Sequence, residues 1–421
     1  MIQTFTLSPG ITLRCCRDTR FKQGCLSFQI VRPMDAAENA MNALLPSVLL
    51  RGTKYHGDLR SITNRLDELY GASVSAVVRR IGDYQTTGLY CGFMDDRFAL
   101  PGDRVLAPML EFLGELLLDS PTENGGFLPA FVDSEKKNLI ATIESELNDK
   151  RAYAMGRLLK SMCREDTFGL PRLGEKEQVA AIDAQTLHNH YQKILKESLI
   201  QIFYVGSAEG ETVCDSLKPL LDRLDRNYVN LPDQTGFHSC EGQDLTETME
   251  VSQGKLCMGF TSPITNRTED FPAMQMLNTV FGSGMTSKLF MNIREKMSLA
   301  YSIGSSYYGT KGIITVSAGI DFDKEAMTRQ EVLRQLEACK AGDISDEELT
   351  AARQAILSSL RATHDSPSAI EGYYATAALS GMKMTPAEYM EAVESVTKEQ
   401  VVAAANSLQL HTTYFLKGGS Q

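Results

Sequence analysis

The order of strands and helices in this chain repeats itself, and that repeat limits the fold more than any other feature. In the first half, residues 25–31 (CLSFQIV) read as a strand, followed by helices over 36–50 and 58–70. In the second helix Leu59, Ile62, Leu66 and Leu69 fall at i, i+3, i+7 and i+10, the spacing of one buried helix face. Gly71 then ends it, as a residue free to turn left-handed can. Strands over 72–79 and 86–94, helices over 105–118, 131–148 and 183–195, and a strand over 200–205 complete the set. The second half runs through the same order. A strand at 254–261 leads to helices at 273–280 and 287–296, strands at 300–307 and 313–320, three helices between 325 and 408, and a last strand at 412–416. Locally, Tyr90-Cys91-Gly92-Phe93-Met94-Asp95 parallels Ser317-Ala318-Gly319-Ile320-Asp321-Phe322. So long a period excludes a solenoid. It predicts two homologous α+β domains, 1–226 and 247–421, each an antiparallel-rich sheet with helices packed on one face. The joining segment 227–246 carries Pro232, Asp233, Gly236 and Gly242 and lacks helical periodicity.

Composition narrows the functional classes. Of 421 residues, 43% are hydrophobic and 23% charged, which provides ample core for a globular protein. A formal charge of -11 argues against sequence-independent nucleic-acid binding and against docking on anionic membrane. The first residues, MIQTFTLSPGITLRCC, lack the basic and apolar regions of a signal peptide, and no apolar run is long enough for a membrane span. Nine cysteines are scattered without a C-x-x-C pair, and Cys15 and Cys16 read as strand residues, so reduced thiols in a cytoplasmic setting are expected. No dinucleotide or phosphate-binding glycine motif follows a strand, and no nucleophile elbow is present.

Residues 282–301, GSGMTSKLFMNIREKMSLAY, hold the densest chemistry. Gly282 and Gly284 flank a turn, Ser287 opens the helix that follows, and Arg294 precedes Tyr301 by seven residues. A guanidinium fork and a phenol can together hold a carbonyl or carboxylate. The same residues also serve as fold elements, an ion-paired helix Arg and a half-buried strand Tyr. The segment resembles the C-terminal half of insulinase/pitrilysin-type zinc peptidases, the inverzincins, and of mitochondrial processing peptidase. In those proteins a glycine-rich turn leads into S-(R/K)-L-F…REK…LAYS, matched here by Ser287-Lys288-Leu289-Phe290, Arg294-Glu295-Lys296 and Leu299-Ala300-Tyr301-Ser302. The resemblance spans nearly the whole chain. It implies the duplicated metallopeptidase LuxS/processing-peptidase-like fold, with Arg294, Tyr301, Gly282, Gly284 and Ser287 as candidate substrate-binding residues.

The same resemblance locates a zinc site and finds it ruined. An inverzincin carries H-x-x-E-H on its first helix, two imidazoles one turn apart and a Glu to activate water. The tail that follows the motif in the family is matched by Val48-Leu49-Leu50-Arg51-Gly52-Thr53. Counting back puts Ala43 and Ser47 at the His positions and Pro46 at the Glu position. Ala43 has no donor atom and Ser47 is a poor neutral ligand. Pro46 has no carboxylate and is expected to kink the helix, because it lacks an N–H and crowds the carbonyl of Asn42. The third ligand, matched through Glu135-Lys136-Lys137-Asn138-Leu139-Ile140-Ala141-Thr142-Ile143, becomes Thr142; Pro121 to Pro129 lengthens the chain before it, and Glu144 reads as a solvated carboxylate. Among the six His, only His188 and His190 are close, and at i, i+2 they point to different helix faces, as solvated or capping residues do.

No metal, cofactor or catalytic residue is therefore expected. The resemblance implies a silent peptidase subunit of bacterial type, near a group named for association with elongation factor P modification. It would complement a homologous zinc-bearing subunit as a heterodimer, or pair with itself, and hold a peptide substrate through Arg294 and Tyr301. A non-proteolytic scaffold of the same fold, as in mitochondrial complex core proteins, and a solo peptidase with substituted ligands are the competing readings.

Overall fold

The computed structural model describes residues 2–146 and 148–419. In the first half of the sequence these are β1 (Ile2–Ser8), β2 (Ile11–Arg17), β3 (Gln23–Pro33), α1 (Asn39–Leu49), α2 (Leu59–Glu68), β4 (Ser73–Ile81), β5 (Tyr84–Met94), α3 (Leu106–Leu118), β6 (Thr122–Glu123), β7 (Gly126–Phe127), α4 (Pro129–Glu146), α5 (Lys150–Met162), α6 (Lys176–Ala181), α7 (Ala184–Glu197), β8 (Leu199–Gly206) and α8 (Gly210–Leu221). Residues 225–243 form neither helix nor strand. The second half contains β9 (Asp244–Met249), β10 (Gly254–Thr261), α9 (Phe271–Asn278), β11 (Ala300–Tyr308), β12 (Ile313–Ile320), α10 (Glu325–Lys340), α11 (Asp346–Ala362), α12 (Pro367–Ser380), α13 (Pro386–Ser395), α14 (Lys398–Ser407) and β13 (Gln409–Gly418). Two π-helices, Thr279–Ser283 and Leu289–Lys296, lie between α9 and β11.

The duplication is written into the strand order. One sheet runs β1-β2-β8-β3-β5-β4 and the other β11-β12-β10-β13-β9. Read from the β4 and β11 edges, the directions match: β4 and β5 pair antiparallel as do β11 and β12, β3 and β8 as do β10 and β13, while β2 and β8, like β9 and β13, are parallel. By this correspondence α9 is the second-half counterpart of α1.

The chain forms two compact units, and each takes a segment from the other half of the sequence. The first contains residues 1–144, 170–233 and 364–376; the second contains 145–169, 234–363 and 377–421. In the first unit Leu26, Phe28 and Ile30 of β3 join Leu44 and Val48 of α1, Leu113 of α3 and Ile194 of α7 in the main core. The other face of β3 meets the start of α12, where Cys25 packs on Ile370. There the buried Glu371 accepts hydrogen bonds from Ser27 Oγ at 2.7 Å, Gln29 Nε2 at 2.8 Å and the two terminal guanidinium nitrogens of Arg79 at 3.0 and 2.9 Å. In the second unit α5 supplies Ala154 and Leu158 to a cluster with Cys257, Tyr414 and Leu416. Just beyond α5, Asp166 meets Lys311 at 3.0 Å, with both side chains essentially excluded from solvent. Each exchanged segment thus carries one buried acid matched to a base of the unit that receives it.

Several sequence expectations are corrected. The region 325–408 holds five α-helices rather than three. Capping boxes at Ser345–Glu348, Thr385–Glu388 and Thr397–Gln400 start α11, α13 and α14 and so divide the run. The element at 287–296 is a π-helix beginning at Leu289, and Ser287 precedes it. Pro46, where a kink is expected, lies inside α1, which runs on through it to Leu49.

Candidate functional site

Helix α1, to which the resemblance assigns the zinc motif, is largely buried and carries a buried polar cluster. Ala43 and Pro46 are buried, and Ser47 is half-buried. Because Pro46 offers no N–H, the carbonyl of Asn42 loses its helical donor. Thr87 of β5 replaces it, donating its hydroxyl to Asn42 O at 2.6 Å. That outside donor is how the helix survives a proline in its interior. The Asn42 side chain donates to Gln85 Oε1 at 2.9 Å and accepts from His190 Nε2 at 2.7 Å. His190 is therefore neither solvated nor a cap, a correction to the sequence reading. Burial pushes its pKa down to about 4, so the neutral ring donates from Nε2.

Thr142, at the third ligand position, donates its hydroxyl to Asn138 O in its own helix at 2.9 Å, and the exposed Glu144 pairs with Lys176. A methyl group, a proline and two neutral hydroxyls are not a zinc donor set. Among the described residues no group of three or more His, Cys, Asp or Glu side chains is arranged to hold a metal ion. Cysteine chemistry has no better footing, since burial pushes the thiols of Cys15, Cys25 and Cys257 up to about 12; protonated thiols are poor nucleophiles.

The second-half segment keeps an open, polar cavity. Arg294, Leu299, Tyr301 and Lys324 are among the residues lining a cavity of about 350 Å³. Three backbone irregularities create it. The π-helix that carries Arg294 ends with the N–H of Met297 bonded to Asn292 O, five residues back, a wider turn than an α-helix makes. Ser298 then takes a left-handed conformation, φ +51°, which a non-glycine residue adopts at a cost. Finally β11 bulges: Ala300 pairs with Ile320 and Ser302 with Gly319, so Tyr301 has no partner on β12. A bulge re-aims the side chain it carries, and Tyr301 is 61% exposed. The sequence spacing alone could not show that these two side chains share a cavity.

The guanidinium of Arg294 lies 4.7 Å from the Phe290 ring centre and 3.7 Å from Glu295. Neither contact takes its N–H donors at hydrogen-bond distance. Tyr301 donates its hydroxyl to Asp321 at 2.8 Å, which raises the phenol's pKa. Lys324 binds the same carboxylate at 2.8 Å and donates to Ser298 O at 3.2 Å, holding the strained residue. Lys324, and Tyr301 after it, lower the Asp321 pKa. Asp321, Lys324 and Ser298 were not singled out from sequence; only the D-F-D-K run after β12 hinted at them.

The other candidates in the segment have supporting places. A Cβ on Gly282 would come within 2.7 Å of Leu289 Cδ1 and Ser305 Oγ, so its lack of a side chain permits close packing. Gly284 has open space around its missing Cβ. Ser287 is buried and its Oγ accepts from the N–H of Phe290 at 3.4 Å. Lys288 is also buried and pairs with Glu348 at 3.0 Å.

Known proteins share this architecture. The family described as "Peptidase M16 inactive domain" matches residues 181–356. The probable inactive metalloprotease YmfF of Bacillus subtilis is 30% identical over 409 residues, covering 97% of this chain and 96% of its own. This chain belongs to the M16 peptidase family. The crystal structure of a conserved protein from Enterococcus faecalis superimposes with a TM-score of 0.92 at 25% identity, covering 100% of this chain and 99% of that one. A chain of complex III2 from Candida albicans shares the M16 fold with a TM-score of 0.76 at 14% identity, covering 99% of this chain and 96% of its own. No helix among the described residues is long and apolar enough to cross a membrane.

Proposed function

We propose that this M16 chain is a non-catalytic subunit that holds an extended peptide for a homologous zinc-bearing partner. One contrast carries the proposal: every donor position on α1 and α4 is lost, while Arg294 and Tyr301 still line one open cavity. The Arg294 fork would take a peptide carbonyl or terminal carboxylate. Tyr301, turned outward by the bulge, would orient the backbone beside it. Chemistry then depends on positioning across an interface, and the partner is a chain of similar size that retains H-x-x-E-H. The cytoplasm is the proposed setting, in keeping with nine free cysteines.

The test is to isolate the chain from its native extract, measure metal, and assay peptide cleavage with and without the co-purifying homologue. The expected result is no stoichiometric zinc in the isolated chain and cleavage only with the partner. Arg294→Ala should lower cleavage at least tenfold, and Tyr301→Phe several-fold, with the complex intact. One zinc per isolated chain with chelator-sensitive cleavage refutes a non-catalytic role. Partner-dependent cleavage unchanged by both substitutions refutes the substrate clamp and leaves a scaffold, the reading that the fold's occurrence in complex III2 favours.

A further inference from the structure

In the first unit the stretch between α3 and α4 folds into the short hairpin β6–β7 and borders a cavity of about 390 Å³, within the range of small-ligand sites. Asn124 and Gly125, at φ +51° and +82°, make its two-residue turn, as an Asn-Gly pair does. Gly126 lets the hairpin lie on the start of α7, because a Cβ there would come within 3.0 Å of the Gln185 backbone nitrogen. Gln185 Nε2 donates to Gly125 O at 2.9 Å and holds the turn. The hairpin falls in the Pro121 to Pro129 stretch that lengthens the chain relative to the family pattern. None of the residues around this cavity lines the Arg294–Tyr301 cavity.

The cavity joins an apolar floor to an acidic rim. Phe127, Val132 and Ile182, all buried, supply the floor. Around them stand Glu123 of β6, Asp133 and Lys136 of α4, and Asp183 before α7. Lys136 is already engaged, donating to Ile182 O at 2.6 Å, and Asp183 caps α7 by accepting from the N–H of Thr186 at 2.7 Å. The carboxylates of Glu123 and Asp133 are exposed and make no hydrogen bond or ion pair among the described residues. Three carboxylates against one ammonium leave the cavity anionic, so its ligand is a cation. Among the described residues no three acidic side chains converge where a metal ion could sit. Carboxylates that border one cavity but stand apart suit a cation whose charges are spaced along an apolar chain.

We propose that this cavity binds a linear aliphatic polyamine. Glu123 and Asp133 would each take an ammonium group, and Asp183 adds its charge. The methylenes between the ammonium groups would lie on Phe127, Val132 and Ile182, leaving water as they do so. Lys136 repels an ammonium from its own end and so favours the Glu123 and Asp133 side. The site does not rest on the proposed substrate clamp.

Isothermal titration of the full chain with spermidine tests this, against hexaamminecobalt(III), a compact cation of the same charge. The expected result is saturable binding of spermidine and about tenfold weaker binding of the cobalt complex, which brings no methylenes to the floor. Glu123→Gln and Asp133→Asn should each weaken spermidine binding about fivefold, and the double variant about twentyfold. Glu111→Gln removes an exposed carboxylate of α3 outside the cavity and should change binding less than about twofold. No saturation at millimolar spermidine overturns the proposal, as does equal binding of the cobalt complex. A double variant that binds like the native chain overturns it too. So does an effect of Glu111→Gln equal to that of Asp133→Asn, which would show diffuse attraction to the formal charge of -11.

Discussion

Thr87→Val isolates the interaction that lets α1 keep a proline in its interior. In the native fold the Thr87 hydroxyl is 2.6 Å from the carbonyl of Asn42, and Thr87 is 1% exposed. Valine removes the donor without removing volume. Pro46 cannot supply an N–H, and the site is closed to water, so the carbonyl is left unsatisfied at a cost of about 1–3 kcal/mol. For a unit of about 220 residues, each kcal/mol lowers the melting temperature by about 2–4 °C, so the first unit should melt about 2–12 °C lower. Differential scanning calorimetry gives the shift directly. The decisive comparison is the same substitution in a Pro46→Ala background. Alanine restores the backbone N–H, so Thr87→Val there should cost less than about half as much. An equal cost in both backgrounds would refute the compensation, and so would a cost below about 0.5 kcal/mol in the native one.

Two further perturbations probe buried charge. His190 has its pKa lowered to about 4 by burial, from an ordinary 6.5. Its neutral form is favoured in the fold, so stability is complete above pH 6.5 and declines as pH falls toward 4, by up to about 3 kcal/mol. Urea denaturation across that window should show the decline, and His190→Gln should flatten it; an unchanged slope excludes His190 as the cause. Asp166→Asn removes the carboxylate that pairs with Lys311, whose side chain is 0% exposed, and should cost about 3–5 kcal/mol. Proteolysis near 234–238 should rise too, because Lys311 Nζ donates to Thr235 O and Asp166 accepts from the His238 N–H. An Asp166→Leu/Lys311→Met double variant should recover most of the loss; a double variant as unstable as the single one rules out charge stranding.

The strands and the duplication were legible because their signal is periodic and local. β12 falls on the expected 313–320, and β3 extends the expected 25–31 at both ends. The five helices of 325–408 were legible too, through the S/T-x-x-E/Q starts at Ser345, Thr385 and Thr397, but a continuous apolar pattern masked them. Pro46 was not legible. The rule that an interior proline breaks a helix is local, and its exception rests on a hydroxyl 41 positions away in sequence. At the candidate site, Arg294 and Tyr301 stood out by type and spacing. The left-handed Ser298, the bulge and the Asp321–Lys324 support arise from strand register, which one sequence does not display. Helix α5 was missed for a related reason: its apolar face is matched to Cys257 of β10 and to Tyr414 and Leu416 of β13, both far downstream in sequence.

The exchanged segments bear on why so altered a first half persists at all. Without residues 364–376, a chain cut within 225–243 would leave Arg79, Ser27 and Gln29 without Glu371. The other fragment would bury Lys311 without Asp166. A cut in that segment that separates the two copies, or the deletion of either, breaks a buried ion pair in what remains. Substitutions on α1 leave both of these buried pairs untouched, so the interlocking of the two halves does not depend on what α1 carries.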